Sequence, residues 1–66
     1  MKSGDSVKVE EDGRHFIAGD IGDKPITEAT IIRRIGGSSS KWYMVYMTFG
    51  LDTQVVVMPD DFLKKM

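Results

Sequence analysis

Every position of Trp42-Tyr43-Met44-Val45-Tyr46-Met47 is apolar or aromatic, and after Gly50-Leu51-Asp52-Thr53 comes a second such run, Val55-Val56-Val57-Met58. Side chains alternate across a strand, so each run asks for cover on both of its faces. A flat sheet would leave one of those faces and its edges in water. At 66 residues the chain makes one small domain, spanning 1–66, and it has no cysteine to staple a thin core. Composition points the same way: six Val, six Ile, four Thr, three Phe, two Tyr and one Trp outweigh two Ala, two Leu, three Glu and one Gln. Those are strand formers, and the expected class is all-β.

Along the chain, Ser6-Val7-Lys8-Val9-Glu10 alternates like a half-buried strand. Asp12-Gly13 is a hairpin signal, predicting that Arg14-His15-Phe16-Ile17-Ala18 returns antiparallel. Two glycines, two aspartates and a proline make 19–25 a loop, and the chain re-enters as a strand over 26–35. Within it the consecutive pairs Ile31-Ile32 and Arg33-Arg34 break alternation, as a β-bulge or a crossing between sheets would. Gly36-Gly37-Ser38-Ser39-Ser40 is a loop tip. Pro59 ends the last long strand, and 61–66 is expected to form one helical or 3₁₀ turn capped by Asp60. Five short strands with turns favour a small barrel.

Several functions are excluded early. The longest aliphatic run is far shorter than the roughly 20 residues of a spanning helix. Met1-Lys2-Ser3-Gly4-Asp5-Ser6 followed by Val7-Lys8-Val9-Glu10-Glu11 holds no apolar signal-peptide core, so a cytoplasmic location is expected. Without cysteine there is no thiolate chemistry, and the lone His15 lacks the paired ligands of common zinc sites. Glu10, Glu11 and Asp12 form an acidic tip, joined by Asp20 and Asp23, but exposed turn carboxylates have no cleft to separate their pKa values. No catalytic residue, metal or cofactor is expected.

The end of the chain, from Lys41-Trp42-Tyr43 to Val57-Met58-Pro59-Asp60-Asp61-Phe62-Leu63, resembles the closing half of SH3-like domains. The resemblance implies a five-stranded SH3-like barrel with a short C-terminal helical turn. It would put Trp42, Pro59 and Phe62 where such domains hold an aromatic-and-proline platform for extended ligands. Phe62 stands in place of the usual tyrosine, and Val7-Lys8-Val9-Glu10 lacks the family's tyrosine motif. Gly4-Asp5-Ser6-Val7-Lys8 is similar in layout to the start of the plasmid-type trimethoprim-resistant dihydrofolate reductases, which work as tetramers around a central pore. Here Val55-Val56-Val57-Met58 occupies the pore strand, without that family's glutamine and tyrosine.

Three expectations follow. The first is a non-enzymatic protein-interaction module, of the kind found among phage and mobile-element regulators and inhibitors. It would bind a protein partner, or itself as a homo-oligomer, through Trp42, Tyr43, Met44, Tyr46, Val56, Met58, Pro59 and Phe62, residue types common at interface cores. The second is a nucleic-acid binder using Arg33, Arg34, Lys41 and Trp42, where arginine beside an aromatic ring holds phosphate while a base stacks. A net charge of −1 disfavours it. The third is a tetrameric folate-reductase-like protein.

Overall fold

The computed structural model describes residues 1–17, 26 and 28–66. The loop expected over 19–25, with Ala18 and Thr27 beside it, lies outside the described residues. The two apolar runs become neighbours: β3 (Trp42–Phe49) pairs antiparallel with β4 (Asp52–Pro59), from Trp42 opposite Pro59 to Phe49 opposite Asp52. Only Gly50 and Leu51 connect them, and Gly50 takes φ +65°, a left-handed conformation that glycine adopts without strain. On the other side of β3 lies β2 (Glu28–Ile35), completing a three-stranded sheet in the order β2-β3-β4. A second sheet pairs β1 (Val7–Val9) with β5 (Leu63–Lys65), Val7 opposite Lys65.

The bulge is where the doubled Ile and Arg pairs put it. Ile31 faces Val45 and Arg33 faces Met44, leaving Ile32 as the extra residue on β2. Its carbonyl, which a regular ladder would have engaged, accepts the Ser3 hydroxyl at 2.6 Å. The N-terminal segment continues along this edge: the Gly4 N–H donates to the Ile31 carbonyl, the Ile31 N–H donates to Asp5, and Ser6 bridges to Thr30. Asp5 is held in its own turn by the Lys2 backbone N–H at 2.8 Å, a bond that keeps its carboxyl below the usual range.

Alternation decides what is inside. Tyr43, Val45, Met47 and Phe49 of β3 are buried, as are Ala29 and Ile31 of β2 and Val56 and Met58 of β4. Val7, Ile17 and Leu63 close the same core from the smaller sheet and its connections.

Three expectations are corrected. Asp12-Gly13 makes no hairpin; residues Glu11–Phe16 form a 3₁₀ helix, closed by Gly13 N–H to Glu10 and Ile17 N–H to Arg14. A type I′ turn needs positive φ at both central residues, and neither Asp12 nor Gly13 has it. Gly13 is instead buried against Phe62 and Val9, a packing demand that overrides the turn signal. Asp60 is not a cap either: Pro59 precedes a second 3₁₀ helix, Asp60–Phe62, with no side-chain cap, and the chain then pairs with β1 as β5. Lastly, the sheets do not close into a barrel. Among the described residues a 3₁₀ turn, not a ladder, carries β4 into β5, and Ser6, just before β1, meets β2 through a single bridge to Thr30.

Candidate functional site

Register fixes the outer face of the larger sheet. Because β3 and β4 are joined by two residues, even-numbered positions of β3 lie beside odd-numbered positions of β4: Met44 faces Val57, and Tyr46 faces Val55. Buried partners take the other parity, so these four point outward with Trp42. Trp42 is 41% exposed, Tyr46 42%, Val55 54% and Val57 40%, with Met44 half-buried between them. Large apolar side chains scattered singly over a surface mean little, but five in adjoining register positions make a patch.

The eight residues expected to bind a partner therefore separate. Trp42, Met44 and Tyr46 lie on the patch. Tyr43, Val56 and Met58 are buried in the core, so a partner reaches them only by opening it, and Pro59, opposite Trp42, is buried as well. Val55 and Val57, not the expected Val56 and Met58, share the outer face with Trp42. Any even-numbered connection gives this parity, so the short turn was the signal that would have found them.

Phe62 is half-buried in an aromatic cluster at the Trp42 end of the sheet. Phe16 meets Trp42 edge-on at 6.2 Å between centroids and lies tilted against Phe62 at 5.3 Å. His15 lies 4.4 Å from Phe16 and meets Phe62 edge-on at 5.7 Å. Such tilted and edge-on contacts suit the ring quadrupoles and fix one side of the indole. Sequence offered no sign of Phe16 and His15 here, since their position depends on the 3₁₀ helix. Lys41, beside Trp42, pairs with Asp61 at 3.0 Å, and its carbonyl accepts the Asp60 N–H at 2.8 Å. These bonds tie the start of β3 to the second 3₁₀ helix.

The proposed basic group is divided. Arg33 lies opposite outward Met44, whereas Arg34 lies opposite inward Tyr43. The Arg34 guanidinium donates to the Tyr43 hydroxyl from Nε at 3.3 Å and Nη2 at 2.9 Å, and to the Ser38 carbonyl from Nη1 at 2.6 Å. It thus serves as a brace between the core tyrosine and the Gly-Ser loop. Tyr43→Phe, which removes the shared acceptor, is expected to cost about 1–2 kcal/mol, read as a shift in the urea midpoint at unchanged slope. Glu10, Glu11 and Asp12 are exposed on or beside the first 3₁₀ helix. Among the described residues no group of three His, Cys, Asp or Glu side chains is placed to hold a metal, and no helix is long and apolar enough to cross a membrane.

The class defined by these features is a small two-sheet antiparallel β fold with an apolar outer sheet face and an aromatic cluster at one end of it. No protein family, curated protein or solved structure matches the chain.

Proposed function

We propose that the chain is a non-enzymatic protein-interaction module of SH3-like build, binding through the outer face of β3 and β4. The observation that carries this reading is the contiguous exposure of Trp42, Tyr46, Val55 and Val57 around Met44. Surface of this make-up is what partners bury at interface centres. Three features support the SH3-like build: β1 pairs with β5, β2-β3-β4 form a meander, and a 3₁₀ turn led by Pro59 separates β4 from β5.

Trp42→Ala tests the reading, with capture of proteins from extract by the immobilised chain and thermal melting measured side by side. Capture is expected to fall by about tenfold or more, the behaviour of an aromatic anchor. The melting temperature should drop by only a few degrees, because the indole is partly exposed and its main loss is the edge contact with Phe16. Equal losses of both would make Trp42 a core residue and remove the proposal. Salt provides a second check: an apolar contact holds between low and moderate salt, whereas a phosphate-led complex weakens steeply.

A further inference from the structure

The outer face of the larger sheet carries its charge along one margin. Its outward positions hold two charged side chains, both exposed and both on β2: Arg33 beside Met44, and Glu28 beside Thr48. Among the described residues neither is ion-paired. The row between them runs through Thr30, Tyr46 and Val55, so the two charges stand two positions to either side of Tyr46 along β3. A surface with opposite charges set evenly about its centre is complementary to its own reverse. Leu51 follows the same pattern: it is fully exposed in the β3–β4 turn, at the end of the face remote from Trp42.

We propose that this face is the contact of a homodimer, in which a second copy of the chain stacks its own larger sheet on it, face to face, with the strands reversed about Tyr46. This rests on the interaction-module reading and names one partner for it. Reversal sets Tyr46 against Tyr46 of the second copy and Val55 against its Val55, in the manner of two sheets packed through their side chains. Arg33 of each copy then meets Glu28 of the other, so two ion pairs rim an apolar centre. A two-fold axis along the strands would instead lay β2 over β4 and set both charges, unpaired, against Val57 and Thr53. In the reversed stack the turn carrying Leu51 reaches Trp42 of the second copy, on the side of the indole that Phe16 leaves open. A contact related by its own two-fold uses the face of each copy once, so assembly stops at two.

The test is absolute mass by light scattering over a hundredfold dilution of the whole chain. Mass is expected to rise with concentration from 7.4 kDa toward twice that value. Arg33→Glu and Glu28→Arg each set like charges against one another at both rims, and each should weaken dimerisation by about tenfold or more. The two substitutions together restore opposite signs, and association should return. Should a variant fail to fold, wild-type fluorescence decides: Trp42 emission should move to the blue as concentration rises and Leu51 covers the indole. A single-chain mass at every concentration overturns the proposal, as does wild-type emission that ignores concentration. So does association that the single variants leave intact or the double variant fails to restore. None of these results touches the Trp42-dependent capture from extract, so the two proposals fail separately.

Discussion

Phe49→Ala is expected to remove most of the stability of this chain. Truncating a buried phenylalanine costs about 3–5 kcal/mol, the lost transfer energy plus the cavity left behind. At roughly 0.05–0.15 kcal/mol per residue, a chain of 66 residues has a total of only about 3–10 kcal/mol. Phe49 is 2% exposed at the end of β3, where it packs among the core residues of both sheets. Three residues earlier on the same strand, Tyr46→Ala should cost less than about 1 kcal/mol, because its ring stands on the outer face. Urea titration of the two variants measures the contrast directly. Equal destabilisation would mean that something covers both faces of β3, and the outer patch would lose its standing as a surface.

Gly13→Ala is the second large effect, and its sign is set by a contest. Gly13 has no left-handed φ, so alanine fits its backbone and would restrict the unfolded chain, a gain of about 0.4–1 kcal/mol. Against this, a Cβ at position 13 would lie 2.8 Å from the Phe62 Cβ and 3.2 Å from Val9 Cγ1. The nearer atom is the base of a side chain fixed to the backbone, and that backbone is engaged: the Phe62 carbonyl accepts the Glu10 N–H at 2.7 Å. Relief therefore means moving the 3₁₀ helix away from Phe62, and overpacking of this kind costs about 1–3 kcal/mol. Net destabilisation is expected, with a changed Trp42 emission spectrum, since Phe16 on the same helix packs against the indole. A stabilised variant with unaltered fluorescence would show that the helix yields freely.

Much of the larger sheet was legible because its signals are local. Apolar runs separated by a turn define β3 and β4, and the doubled Ile and Arg pairs mark the bulge on β2. What failed depended on contacts distant in sequence. Asp12-Gly13 carries a real hairpin preference, yet Phe62, from the other end of the chain, needs a side-chain-free neighbour there. Leu63-Lys64-Lys65 has one apolar residue and too little length for a pattern; it is a strand because β1 supplies the backbone partners. Among the described residues there are five strands, as expected, only because this missed strand stands in for the one expected over 14–18, where 14–16 belong to the first 3₁₀ helix. On the patch, Trp42, Met44 and Tyr46 were legible as one face, but periodicity alone does not say which face is inside. Cover from the smaller sheet and the first 3₁₀ helix decides that, drawing Tyr43, Val45, Met47 and Phe49 inward.

The pairing of β1 with β5 also orders the assembly of the chain in time. β2, β3 and β4 are joined by short connections, and each register can form as soon as its neighbour exists. Val9 opposite Leu63 closes a loop running over 10–62, an entropic debt that grows with length and is offset only once the meander has brought the ends near each other. The small sheet is thus a latch: last to fasten during folding, first to open by local fluctuation. Its release would uncover Val7 and Leu63 and expose the core from the side opposite the patch, while β3 and β4 stay paired.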